Sequence, residues 1–166
     1  AEKEIKPVAR ELDEKEEFSY DTMQKMAELG LFGIFVSDKY GGQEMDYLSY
    51  IIAVEEIARV DGSHAATVAA ENSLGIGPLY YFGNEEQKRK YLPKLCSGEA
   101  LWGFGLTEPN AGSDFAHIQA NAKKDGSDYI LNGEKMWISL ATKAHHCLWV
   151  ALTNPNAPDP HDGLSA

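Results

Sequence analysis

Apolar residues recur with a helical period over roughly the first hundred positions and with a two-residue period after them. Ile5, Val8, Ala9 and Leu12 stand at i, i+3, i+4 and i+7, the stripe of an amphipathic helix. Pro7 interrupts that stripe and predicts a kink or a late helix start. Met23, Met26, Ala27 and Leu29 share a face of a second helix, which follows Asp21, and Gly30 sits where a left-handed C-terminal cap would be. The apolar Leu31–Val36 leads to a turn at Tyr40-Gly41-Gly42. Asp46 can cap a third helix bearing Leu48, Ile51, Ile52 and Ile57. Asp61-Gly62-Ser63 breaks the chain and caps a fourth, alanine-rich helix ending near Leu74. Asn84 with Gln87 spells a capping box, opening a helix that carries Tyr91, Leu92 and Leu95 and ends before Ser97-Gly98. Short connections between such helices predict a bundle.

After Gly98 the texture changes. Trp102, Phe104 and Leu106 alternate with glycines, a strand pattern. Ile118, Ala120 and Ala122 alternate with polar partners, and Asp125–Asp128 reads as a turn. Tyr129-Ile130-Leu131 meets Asn132-Gly133, a hairpin signal that makes Glu134–Ser139 the return strand. Cys147–Leu152 reads as an apolar strand buried on both faces, and Asn154–Asp162 as a proline-bearing loop. The expected fold class is therefore α+β: an all-α helical bundle over 1–98, then an antiparallel β-barrel or sandwich domain over 99–166. Three or four strands with no closing element leave an unpaired edge, so the β-domain is expected to be incomplete.

Composition narrows the classes. With 166 residues, 43% of them hydrophobic, the chain can bury a real core. No apolar run approaches the roughly 18 residues of a membrane span, and the charged start lacks the apolar stretch of a signal peptide. A net charge of −11 disfavours generic nucleic-acid binding, which needs a basic face. Cys96 and Cys147 share no metal-ligand spacing and read as buried thiols in a reducing compartment. The histidines likewise form no metal-ligand spacing, so a metal site is not expected.

Candidate chemistry gathers in two stretches. In Phe104–Asp114 a glycine-rich apolar segment ends in the Thr107 hydroxyl, followed by a turn of Pro, Asn, Gly, Ser and Asp. Such a turn exposes backbone N–H groups and small hydroxyls together, suiting an anion or a polar ring edge. On the predicted strand after Gly133, Trp137 and Ser139 are two apart and share a face. An indole and a hydroxyl on one face suit a flat heteroaromatic ring with polar edges. The alternative for that pair is a core tryptophan and a surface serine.

Together these blocks resemble the acyl-CoA dehydrogenases, flavoenzymes that oxidise acyl-CoA thioesters. Tyr40-Gly41-Gly42 is similar to the family's Y-G-G loop, and Phe82–Lys88 to its F-G-x-x-E-Q-K helix start. Leu106–Asp114 matches the L-T-E-P-x-A-G-S-D signature, and Asn132–Ser139 the N-G-x-K-x-W-I-T/S block. The resemblance implies a helical N-terminal domain and part of the family's middle β-domain. It implies FAD as cofactor, lined by Phe104, Leu106, Thr107, Gly112, Ser113, Trp137, Ile138 and Ser139. Thr107 would bond the polar edge of the isoalloxazine, Trp137 would pack on the ring face, and Ser139 would reach flavin N5. Ser113 would also lie near the CoA side of the substrate. Ser139 stands where the family usually has Thr, Leu140 where Asn is common, and Ser37 where Pro is frequent. The hydroxyl survives the first change, so its hydrogen bond can survive, the last has no consequence for the chemistry, and Leu140 has no assigned role.

The implied reaction is α,β-dehydrogenation of an acyl-CoA to the trans-2-enoyl-CoA. Electrons would pass to an electron-transfer flavoprotein, with a homotetramer as the full-length assembly. The family's glutamate base lies in a C-terminal helical domain beyond Ala166. Glu71, Glu99 and Glu108 do not sit at a matching position, so no catalytic residue is assigned in this chain. The 166 residues alone are expected to be inactive and to bind FAD weakly. Bacterial cytoplasm is the compartment expected, with the mitochondrial matrix as the alternative. An acyl-CoA oxidase, or a non-catalytic binding protein on the same scaffold, are the competing readings.

Overall fold

The computed structural model describes residues 1–166, which form two compact units, Ala1–Trp102 and Gly103–Ala166. The first unit is helical. Helix α1 (Lys6–Lys15) starts late, with Pro7 in its first turn, where its missing N–H costs nothing. Helix α2 (Tyr20–Glu28) begins one residue before Asp21 because the Ser19 hydroxyl caps it, accepting from Thr22 N at 3.3 Å. Gly30 adopts φ +75° after its end, as a left-handed cap requires. Asp46 caps α3 (Tyr47–Ala58), and Asp61 caps α4 (Gly62–Ala70). Asn84 and Gln87 form a reciprocal capping box at the start of α6 (Glu85–Cys96).

The fourth helix does not end near Leu74. It passes into a π-helix, Glu71–Ile76, and continues as α5 (Gly77–Phe82). Pro78 cannot donate to the carbonyl four residues back, and the wider π turn carries the chain past that lost bond.

Phe32, Val36, Val68, Ile76, Leu92 and Leu95 are fully buried at the centre of this unit. Asn72, also fully buried, ties the irregular Leu31–Ile34 stretch to the π-helix. Its Oδ1 accepts from Gly33 N and Ile34 N, while its Nδ2 donates to Leu31 O and Val68 O. His64 joins α4 to α2 through Asp61 Oδ2 on Nδ1 and Thr22 Oγ1 on Nε2, each at 2.7 Å. Leu29, Leu48, Ile51 and Ile52, expected on buried faces, are exposed. Helix α3 is apolar on several sides, and packing selects only the side that carries Tyr50 and Ile57. No helix is long and apolar enough to cross a membrane.

The second unit holds short strands. Strand β1 (Trp102–Gly105) enters it and pairs with β4 (His146–Trp149). Strands β2 (Asn121–Asp125) and β3 (Asp128–Asn132) form an antiparallel hairpin around Gly126-Ser127. β2 also pairs in parallel with β5 (Ala151–Leu152), which pairs antiparallel with β6 (Leu164–Ser165). The resulting order is β3-β2-β5-β6, one parallel pair in an otherwise antiparallel sheet, and neither sheet closes.

Two sequence expectations fail here. Glu134–Ser139 is not a return strand. Gly133 turns at φ +134° hard against Ala120, and Trp137 and Leu140 adopt φ +58° and +63°, which no extended strand can hold. Cys147–Leu152 is two short strands broken at Val150, not one buried strand, and Cys147 is exposed. Cys96 is buried as expected, and burial pushes its thiol up to about 12.

Candidate functional site

Glu108 organises the second unit. Its carboxylate accepts from Gln119 N at 2.7 Å, Ala120 N at 3.0 Å and Lys135 Nζ at 2.7 Å. Lys135 is 1% exposed and Glu108 7%, so this is a buried ion pair whose lone pairs and protons are taken up locally. Burial works against the charge on Glu108, and the two amides and the lysine overcome it, holding the carboxyl below its ordinary range. Lys135 also donates to Leu106 O at 3.0 Å. The backbone closes a tight turn with Glu108 N to Ala111 O at 2.8 Å and Ala111 N to Glu108 O at 3.2 Å.

This pair brings the two motif blocks of the sequence side by side. Met136 N donates to Thr107 O at 2.9 Å, so Leu106-Thr107-Glu108 runs beside Lys135-Met136-Trp137. Neither Lys135 nor Glu108 was among the candidate site residues. A lysine in a predicted strand opposite an acidic turn was the only sign, and it became legible once the two segments met.

Around this join, Phe104 is half-buried in β1, Leu106 and Thr107 are half-buried beyond its end, and Ile138 is half-buried against Gly103. Gly112 and Ser113 are exposed, and a Cβ at Gly112 would meet nothing within 4 Å. Ser139 is exposed. Trp137 is 83% exposed, which excludes the core reading of this residue. It reaches that position through a left-handed backbone that a bulky residue adopts only at a cost of about 1–3 kcal/mol. Trp137 and Ser139 therefore do not share a strand face. They lie on a loop that turns through Ala141 N to Ile138 O and Lys143 N to Leu140 O.

Trp137 stands exposed on this loop with Ser139 two residues on, the Thr107 carbonyl is bound by the neighbouring Met136 N, and the Gly112-Ser113 turn is open. A cleft of about 480 Å³ lies beside the same turn. Its walls include Asn110, Asn121, Asn132 and Glu134, and neither Thr107 nor Trp137 lines it. In the helical unit a cleft of about 330 Å³ is lined by Met23, Met26 and His64. Thr22, the hydroxyl on His64, does not line it, so the Asp61–His64–Thr22 chain is a tie between helices and not a nucleophilic site. No cluster of metal-ligating side chains is present.

Both units have counterparts among known proteins. Residues 1–99 match the family model of the acyl-CoA dehydrogenase N-terminal domain, and residues 103–166 that of the middle domain. A probable acyl-CoA dehydrogenase, YngJ, of Bacillus subtilis is 49% identical over 156 residues, covering 94% of this chain and 41% of that protein. A chain in a structure described as the electron transferring flavoprotein of Acidaminococcus fermentans is 40% identical with a TM-score of 0.94, covering 99% of this chain and 43% of that one. A glutaryl-CoA dehydrogenase of Mycobacterium smegmatis, solved in complex with FADH2, is 34% identical with a TM-score of 0.88, covering 92% of this chain and 39% of its own. The chain thus spans about two fifths of the length of these relatives. With both of its units matched and its paired Leu106–Asp114 and Asn132–Ser139 segments in contact, this chain belongs to the acyl-CoA dehydrogenase family.

Proposed function

We propose that this chain supplies the flavin-facing wall of an FAD-dependent acyl-CoA dehydrogenase, which converts an acyl-CoA to its trans-2-enoyl-CoA and passes electrons to an electron-transfer flavoprotein. The observation that carries this reading is Trp137, a large indole left 83% exposed on a strained left-handed backbone. Strain of this kind persists where the surrounding structure imposes it, and it clusters at ligand sites. The buried Lys135–Glu108 pair anchors the chain two residues before it.

Bound FAD supplies the two-electron acceptor for the hydrogen leaving the substrate's β-carbon. Trp137 covers the ring face and excludes water from it. Thr107 and Ser139 direct hydroxyls to the polar edge, Phe104, Leu106 and Ile138 fill the apolar border, and Gly112 lets the turn approach closely. Ser113 faces the CoA side. The α-proton of a thioester is weakly acidic and needs a carboxylate base. Glu108 is consumed by Lys135 and two amides, Glu71 is sealed in the helical unit, and Glu99 pairs with Lys94 at 3.1 Å. None of these three is free to act as that base, and our reading takes the base from a carboxylate outside these 166 residues.

The test is made in the full-length protein. Trp137→Ala should weaken FAD binding about tenfold, the value of a lost ring stack. Ser139→Ala should shift the flavin absorption bands. Wild-type FAD affinity and spectrum in both variants would sink the assignment.

A further inference from the structure

Two glycines of β1, Gly103 and Gly105, share a face of the strand, and the loop that carries Trp137 lies across both. A Cβ placed on Gly105 would meet Lys135 Cγ at 3.5 Å. One placed on Gly103 would meet Ile138 Cγ2 at 3.5 Å and Ala144 Cβ at 3.7 Å. The Lys135 stem is therefore seated over one glycine and Ile138 over the other. Only Met136 and Trp137 lie between these seats, and Met136 is held by its N–H on Thr107 O at 2.9 Å. The turn from one seat to the next falls on Trp137, at φ +58° and with the indole outward.

Lys135 is the fixed end of this loop. Its side chain is 1% exposed, and its ammonium donates to Glu108 Oε1 at 2.7 Å and to Leu106 O at 3.0 Å. The Trp149 ring centre lies 5.6 Å from the same nitrogen. A buried ion pair adds little stability over an apolar pair of similar size, because desolvation offsets the attraction. Its directed bonds do restrict where the lysine stem can lie.

We propose that Lys135 is a positioning residue for the flavin wall: its ammonium, locked by Glu108 and the Leu106 carbonyl, seats the loop on the glycine face of β1 and so holds the Trp137 indole in its outward pose. This rests on the reading of Trp137 as the residue that covers the flavin ring. In this role Lys135 acts through Trp137 alone.

The experiment uses the full-length protein and the double variant Lys135→Met/Glu108→Gln, which removes both charges and keeps both side-chain lengths. The double variant should fold and melt close to the parent. Hydrogen exchange in the peptide 136–143, whose amides Met136, Ala141 and Lys143 are bonded in the seated loop, should quicken about tenfold. FAD affinity should fall about tenfold, as for a lost ring stack. Added to Trp137→Ala, the same two substitutions should lower FAD affinity by less than about twofold more, because residues that act as one unit are not additive. Parent-level exchange or parent-level FAD affinity in the folded double variant overturns the proposal. So does a further tenfold loss on top of Trp137→Ala, which would place the action of the pair elsewhere. If the double variant does not fold, Glu108→Gln alone weakens the lock and carries the same measurements, with shifts of about threefold. Parent-level FAD affinity in Trp137→Ala itself would overturn the flavin wall, and faster loop exchange in the double variant would still identify Lys135 as the lock of the loop.

Discussion

Glu71 and Trp137 are both placed against their own preferences, one an acid without water, the other an aromatic ring without a core. For Glu71 the consequence is a pH dependence of stability. The native state keeps the proton up to about pH 7, whereas the unfolded chain releases it near the ordinary value of 4.5. Between those values the native state binds more protons, so this group's contribution falls as pH rises. Glu71→Gln, which cannot ionise, should therefore gain on the parent by about 2.5 kcal/mol between pH 5 and pH 8. Denaturant melts at the two pH values check this, and an unchanged difference would remove the buried neutral acid. For Trp137 the strain and the exposure make opposite demands. Trp137→Gly accepts φ +58° freely and loses little burial, so the FAD-free protein should be as stable as the parent or about 1 kcal/mol more so. FAD affinity should fall in the same variant, measured by titration beside the thermal melt.

At the scale of elements, the helices obey local rules and the loops obey distant partners. The Asn84–Gln87 box satisfies backbone donors at the start of α6 in both directions, and Asn84→Ala should cost about 1 kcal/mol by denaturant unfolding. Asn72 is the larger test. It carries four hydrogen bonds, three of which fix the Leu31–Ile34 stretch to the π-helix, so Asn72→Ala strands buried backbone groups. A loss of at least about 3 kcal/mol is expected. Caps, the late start of α1 and the glycine end of α2 were legible because each is set by residues within four positions. The π-helix was not, because Pro78, two residues past its end, acts together with packing against the distant Trp102. The Asn132-Gly133 hairpin signal was misleading for a similar reason. Gly133 serves close passage over Ala120, and the real hairpin turns at Gly126-Ser127.

For the whole molecule, the proposed function depends on groups that the 166 residues position and, in the same proposal, on a base that they do not supply. The isolated chain mixed with FAD and butyryl-CoA should show no flavin reduction in anaerobic spectra, because Glu71, Glu99 and Glu108 are each buried or paired. The sequence by itself determined the helix caps, the division into a helical and a β-rich part, the order of the motif blocks and hence the family. Those signals are local, or they are strings of residue types that survive without knowledge of contacts. Tertiary structure alone decided that Lys135 and Glu108 meet in the interior, that Trp137 stands in solvent on a loop, that the apolar Leu48, Ile51 and Ile52 remain uncovered, and that Glu71 is sealed in. Burial and ion pairing are properties of segments far apart in the chain, and their free energies are settled only when those segments share one space.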